Sequence, residues 1–334
     1  MPLRIPPAIT LLLGLALGSC APEPDVVIYC ALDQVHAEPI LRRFEAQTGL
    51  KVHAEFDVEA HKTVGLVRRI REETNRTRCD VFWNNEFAHT VALAEDGLLA
   101  SYDSPAAAEI PPLFRDRKNR WTGFAARARI LIVNTDLADP ATIHGMDDLL
   151  DEAWRGRVGM ARPLTGTTLT HMALLFPLLG EQRARSYLDG ITAAEVNLTS
   201  GNATLMRLVR DGQLAFGWTD TDDFNVALEA GYPVAAVYPD QDSVGTLLIP
   251  NTVCILAAAP HAQAARRLVD FILSPEIEAT LAASRSAQIP VRASVPRPPH
   301  VRSAADMRVM EVDYAATGTE VDRRLAELKE RFLR

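Results

Sequence analysis

Three acidic residues, Asp220, Asp222 and Asp223, fall within one short stretch. Alternate residues of an extended segment point the same way, so Asp220 and Asp222 can share a side. Carboxylates crowded like this repel one another unless a cation offsets them. That cation is either a metal ion, for which carboxylates are suitable hard ligands, or the ammonium group of a bound molecule. The same residues also suit a helix cap, with Asp222 or Asp223 as N-cap of a helix predicted over 224–230. A second group reads Pro163-Leu164-Thr165-Gly166-Thr167-Thr168. A glycine flanked by hydroxyls at a helix start offers free N–H groups at the positive end of the helix dipole, which is an anion site. Arg127 and Arg129 are two apart in a strand-like stretch and therefore face one way. Either can meet an anionic ligand, pair with Asp222 across a cleft, or form a structural ion pair at a hinge.

Enzyme signatures are missing. The chain has no G-x-S-x-G, H-E-x-x-H or Walker motif. An acidic cluster holding a metal for phosphoester hydrolysis thus remains an alternative without a supporting motif, and a binding protein rather than an enzyme is expected. Four cysteines stand at 20, 30, 79 and 254, with no C-x-x-C and no Cys/His clip of zinc spacing. His36 and His89 lack partners at ligand spacing, while Tyr29, Trp83 and Trp218 read as core.

The compartment is written at the N-terminus. Arg4 precedes an apolar run over 9–17 (ITLLLGLAL), and Leu17-Gly18-Ser19-Cys20 closes it with small residues before a cysteine. This is the pattern of a bacterial lipoprotein signal over 1–19, with lipid added to Cys20 and a Pro-rich tether over 20–25. No apolar run approaches the roughly 18 to 20 residues of a membrane-spanning helix. The whole chain has 334 residues, a net charge of −8 and 48% hydrophobic residues. That length suggests two domains, and the acidic balance argues against a nucleic-acid partner, which needs clustered Lys and Arg.

The first hundred residues alternate strand and helix. Strands are predicted over 26–29, 50–56 and 79–83, with helices over 37–47, 62–73 and 90–97. Such alternation calls for right-handed crossovers and a mostly parallel sheet. Two longer extended stretches, 121–135 and 246–257, suit crossings between lobes. Helices over 146–153, 168–179, 182–188 and 203–211 and strands over 158–161 and 215–218 fill the space between the crossings. Helices over 262–273, 275–283 and 319–332 complete the chain. The expected fold is α/β, a two-lobed clamshell with hinged crossover strands. Lobe 1 takes 26–125 with 253–292, and lobe 2 takes 130–248 with the closing helix 319–332 packed on it. Ligands of open α/β sheets sit beyond the carboxyl ends of the strands, here the cleft between lobes.

Along almost the whole mature chain the sequence resembles the periplasmic ferric-ion-binding proteins, the substrate-binding subunits of iron(III)-type ABC importers. The stretches that carry this include VVIYCALDQVHAEPILRRFEAQTGLKV, CDVFWNNEF, RARILIVNT, WRGRVGMARPLTGTT, GITAAEVNLTSGNAT, DGQLAFG, PDQDSVGTLLIPN and ARRLVDFILSPEIEATLAASRSAQIPVR. The resemblance implies a clamshell that delivers cargo to a membrane permease, working as a monomer at the cell envelope, with the Cys20 anchor facing the periplasm or cell exterior. It also implies Fe(III) with a phosphate or carbonate anion as cargo, but the usual iron ligands are replaced. Counting back from Gly231, Thr221 and Asp222 stand where the family has two adjacent tyrosines. The family's N-terminal histidine falls at Asp33 and its first-lobe glutamate at Asn85, with Glu86 beside it. The anion-holding turn and asparagine persist as 165–167 and Asn202. By resemblance the binding residues are Asp33, Asn85, Thr165, Gly166, Thr167, Asn202, Thr221 and Asp222; the charge reading adds Glu86, Arg127, Asp220 and Asp223, with Asp222 and Asp223 as the metal candidates. Read by its charges, the site suits an anion plus a cation, either Fe(III) with its anion or a phosphonate-type zwitterion.

Overall fold

A computed structural model describes residues 23–57 and 64–333; the signal expected over 1–19 and the lipidation expected at Cys20 lie outside them. Strand β1 (Val26–Cys30) is a β-branched run buried on both faces. Helix α1 (Gln34–Thr48) turns Ala37, Ile40, Leu41 and Phe44 inward at helical spacing. It ends at Gly49, whose left-handed φ of 74° lets its N–H reach Glu45 O. Strand β2 (Val52–Phe56), helix α2 (Val64–Glu72), β3 (Val81–Asn84) and α3 (Ala88–Glu95) follow. β2 and β3 flank β1, both parallel to it.

The sheet then changes character at β4 (Thr122–Asn134), 13 residues long and buried throughout, a span of about 44 Å. Downstream come β5 (Val158–Ala161), α4 (Gly166–Leu179), α5 (Glu181–Ala193), β6 (Asn197–Thr199), α6 (Asn202–Arg210), β7 (Phe216–Asp220), α7 (Thr221–Glu229) and β8 (Val234–Val237). The last elements are β9 (Leu248–Ile255), α8 (Ala262–Ile272), α9 (Pro275–Ala283) and α10 (Tyr314–Phe332). The first half of β4 pairs antiparallel with β9, and its second half with β7 and β8. The hydrogen-bonded strand order β2-β1-β3-β9-β4-β7-β5-β6 therefore passes through both lobes by way of β4, and the cleft lies beside this path.

Each lobe has its own core. Phe44, Phe82, Trp83, Phe124 and Ile272 belong to the first. In the second, alternation along β4 sends Leu131 and Val133 to one face and Ile132 to the other. Leu131 and Val133 meet Met172, Phe176 and Trp218, while Ile132 meets Leu205, Val209 and Ala227. Cys30, Cys79 and Cys254 are buried free thiols.

Four expectations need correction. Residues 146–153 do not form an α-helix but two 3-10 turns, Met146–Leu150 and Glu152–Trp154. Aspartate side chains take the backbone there: Asp148 accepts from His144 N and Gly145 N, and Asp151 from Ala153 N. Helix α5 runs past Leu188 because Gly190 lets it approach Leu150, whose Cδ1 would sit 2.8 Å from an added Cβ. Helix α7 begins at Thr221, so neither Asp222 nor Asp223 is its N-cap; that position is Asp220. Helix α10 starts at Tyr314, capped by Asp313, and is shared between lobes, packing on α3 as well as α4. Gly318 allows this, since a Cβ there would meet Ala92 N at 2.6 Å.

Candidate functional site

The register of β4 against β7 sets Arg129 opposite Asp220. The Asp220 carboxylate is buried and gathers four donors. Its Oδ1 accepts from Arg129 Nη1 at 2.7 Å. Its Oδ2 accepts from Thr167 Oγ1 (2.8 Å), Asn202 Nδ2 (3.1 Å) and Arg127 Nη1 (3.4 Å). Burial alone would push this carboxyl up, but Arg129 and Arg127 outweigh burial and hold it below the usual range. Arg129 has no exposed side-chain surface. Its remaining contacts are the hydroxyls of Thr167 and Thr168, both at 3.3 Å, and the Trp218 ring 5.7 Å away.

Arg127 extends the network to the other lobe. Its Nη1 also donates to Asp222 Oδ2 (3.3 Å), and its Nη2 donates to the Asn85 carbonyl. Burial disfavours its charge, yet Asp222 and Asp220 hold it firmly protonated. Asp223 accepts from the side chain of Thr219, Oγ1 at 3.1 Å. Burial, with Asp222 and Asp220 adding to it, pushes its carboxyl well above the ordinary value.

These residues border a cavity of about 640 Å³. Of the residues expected at the site, Asp33, Asn85, Glu86, Arg127, Thr165, Gly166, Thr167, Asn202, Asp220, Asp222 and Asp223 all line it. Thr221 does not; it is buried, and its hydroxyl accepts the Ala128 N–H at 3.2 Å. Reaching the cavity does not leave every side chain available to a ligand. Glu86 accepts from Ala88 N (2.8 Å), His89 N (2.9 Å) and Thr170 Oγ1 (3.1 Å), which caps α3 and ties it to α4. The Thr167 hydroxyl is filled by Asp220, Arg129 and Asn202, so it props the network instead of facing a ligand. Asp222 and Asp223, the metal candidates, take Arg127 and Thr219 as their side-chain donors. Among the described residues, no group of three or more His, Cys, Asp or Glu is placed to hold a metal ion.

The backbone supplies what the side chains do not. Helix α4 has Thr165 as N-cap and α6 has Gly201, and neither cap accepts a bond through its side chain. First-turn N–H groups of a helix have no partner within it. The first residues of both helices, Gly166, Thr167 and Thr168 with Asn202, Ala203 and Thr204, border the same cavity. Thr168 Oγ1 donates to Asn202 Oδ1 (3.2 Å), which locks the two helix starts side by side. Two positive dipole ends thus converge on one space, an arrangement suited to an oxyanion. Sequence reasoning passed over Arg162, Ser200, Thr204 and Arg207, which line the cavity too. The signal was present in Ser200-Gly201-Asn202, a small-residue turn opening a helix just as 165–168 does.

Comparison with known proteins bears on this geometry. The chain is 25% identical over 329 residues to iron uptake protein A1 of Synechocystis, with 92% of this chain and 90% of that one covered. It is 26% identical over 244 residues to a putative 2-aminoethylphosphonate-binding periplasmic protein of Salmonella typhi, covering 72% and 70%. The crystal structure of iron-bound HitA from Pseudomonas aeruginosa superposes with a TM-score of 0.83 at 24% identity, over 92% of this chain and 98% of that one. The two-lobed periplasmic-binding fold is common to both. A family model described as bacterial extracellular solute-binding protein matches residues 40–309, and the chain belongs to that family.

Proposed function

We propose that this chain is the receptor subunit of an ABC importer that closes on a small molecule bearing a phosphoryl or phosphonate group. It works as a monomer, by capture and not by catalysis, and hands its cargo to a membrane permease. Lipid on Cys20 holds it at the membrane, facing the periplasm or cell exterior. The lobe comprising 26–125 with 253–292 moves against 130–248, while β4 and β9 act as the hinge.

The observation that carries this reading is where the site's charges already go. Asp220 and Asp222 are engaged by Arg127 and Arg129, whereas the N-termini of α4 and α6 turn open first turns onto the cavity. No tyrosine is among the cavity-lining residues to offer Fe(III) a phenolate. The relative named for 2-aminoethylphosphonate agrees with such a ligand. Fe(III) with a phosphate or carbonate anion is the second reading, favoured by the iron-named relatives.

Native mass spectrometry of protein purified without added metal, followed by calorimetry with 2-aminoethylphosphonate and with ferric citrate, separates the two. A phosphorylated or phosphonate adduct, and binding of the phosphonate without iron, is the expected result. Binding of ferric citrate alone refutes it. Cys20→Ala should release the protein from membranes without changing ligand affinity, because the cavity is lined by residues from Asp33 to Asp223.

A further inference from the structure

Two arginines on the cavity wall take no part in the interlobe network. Arg162 follows β5, and its backbone N–H donates to Thr199 O (3.0 Å), which fixes it beside the loop into α6. Arg207 lies on α6 itself. Both are exposed and both line the cavity. Arg127 and Arg129 are committed to Asp220 and Asp222. Among the described residues, by contrast, neither Arg162 nor Arg207 has a carboxylate at ion-pair distance, and the side-chain partner of Arg207 is Thr204.

Hydroxyls complete this patch. Arg207 Nη2 donates to Thr204 Oγ1 at 3.0 Å, and Thr204 Oγ1 lies 3.1 Å from Ser200 Oγ. Ser200 and Thr204 line the cavity beside the arginines. The cavity's carboxylates come from elsewhere, Asp33 and Glu86 from the first lobe and Asp220, Asp222 and Asp223 from the β7–α7 junction. Two forked guanidiniums and two hydroxyls without a local counter-charge match the oxygens of a tetrahedral oxyanion. The volume of about 640 Å³ falls within the roughly 300–1,000 Å³ of small-molecule sites, more than one oxyanion fills.

We infer that the ligand carries two separated anionic groups, one on the first turns of α4 and α6 and a second, a phosphate, on Arg162, Arg207, Ser200 and Thr204. This rests on the phosphoryl reading above and narrows it to small bisphosphorylated compounds. Arg162 and Arg207 then set the preference for a second phosphate over a neutral end.

Calorimetry at fixed ionic strength with fructose 6-phosphate and fructose 1,6-bisphosphate tests this on one molecular body. The protein should bind the bisphosphate at least about tenfold more tightly. The double variant Arg162→Gln/Arg207→Gln should bring the ratio of the two dissociation constants near unity. Equal affinities in the unaltered protein, or an undiminished ratio in the double variant, overturn the inference. Binding of 2-aminoethylphosphonate but of neither sugar phosphate overturns the two-anion ligand and leaves the phosphoryl reading standing. No binding of any of the three overturns both.

Discussion

Replacing Asp220 by asparagine tests the network on which the cavity floor depends. The substitution keeps the shape and removes the charge. Arg129 then loses its ion-pair partner among the described residues, at 2.7 Å, while its side chain remains fully buried. Arg127 does not suffer the same loss, because Asp222 and the Asn85 carbonyl still accept from it. One buried pair is therefore broken and not two, which sets the scale at about 3–5 kcal/mol. The asparagine Oδ1 can still accept one bond, returning about 1 kcal/mol, so a net loss of roughly 2–4 kcal/mol is expected. Urea unfolding followed by tryptophan fluorescence at pH 7 reads the loss, since Trp218 lies against the Arg129 guanidinium. The pH dependence has a definite sign. A carboxyl held below its ordinary value contributes stability above the unfolded pKa of about 3.9, and that contribution is lost as pH falls through the folded value. The two proteins should therefore converge below about pH 4. Adding Arg129→Leu to Asp220→Asn should recover part of the loss, because no uncompensated cation remains. A loss under about 1 kcal/mol, or a double variant as weak as the sum of the two singles, refutes the reasoning.

Asp223 has the opposite sign: its raised carboxyl makes the fold lose stability as pH climbs from about 4. Asp223→Asn should therefore stabilise increasingly above that pH and be neutral below it, read by urea midpoints at pH 4 and pH 8. His171 is buried against Trp218, with ring centroids 4.8 Å apart and Nδ1 unpaired, and burial drives its pKa down to about 3. Burial disfavours its protonated form in the fold, so stability falls as pH drops below the unfolded value of about 6.5, by about 2 kcal/mol at pH 5. His171→Phe should flatten that slope. Glu278 is buried and bonds Arg292 (2.6 Å), Ala125 N (2.9 Å) and Val291 N (3.0 Å). Glu278→Ala should cost about 3–5 kcal/mol in the same urea assay by taking the carboxylate from buried Arg292, which among the described residues keeps only the carbonyls of Ala106 and Leu273, and by freeing the β4 bulge at Ala125.

The fold was legible where composition leaves one solution. The stretch over 121–135 is apolar and β-rich for longer than a single compact sheet needs, and β4 does serve two sets of partners. The repeated strand-helix alternation before it likewise leads to parallel β1, β2 and β3. Failures came where local hydrogen bonds compete with a helix, as at Asp148 and Asp151. They also came where an element is too short or polar to announce itself: β6 is only Asn-Leu-Thr, and β8 finds its place as an edge against β4. The start of α10 was missed by five residues because Gly318 looks like a stop, although its missing Cβ is what lets the helix lie on α3.

At the site, sequence order located the residues, and of the pairings it left open the structure contains that of Arg127 with Asp222. Asp220, Asp222 and Asp223 read as an acidic cluster for which a metal, a ligand ammonium, a helix cap or a pairing of Asp222 with Arg127 or Arg129 all stayed open, since nothing local in the chain chooses among them. Their cations are Arg127 and Arg129, about ninety positions earlier, delivered by the register that sets Arg129 opposite Asp220. Only tertiary pairing turns an apparent cation site into a neutralised floor. With that floor neutral, the proposed recognition of charge rests on groups that composition hides. These are the first-turn N–H groups of α4 and α6, to which every residue type contributes alike, and the exposed Arg162 and Arg207. The same shift explains how a chain of this family can lack the tyrosine pair and still keep an intact cleft. Thr221 has turned inward to accept the Ala128 N–H, and Asp222 braces the arginine that links the lobes. The positions that the resemblance assigns to an iron ligand pair here hold the hinge strand in register with the binding surface.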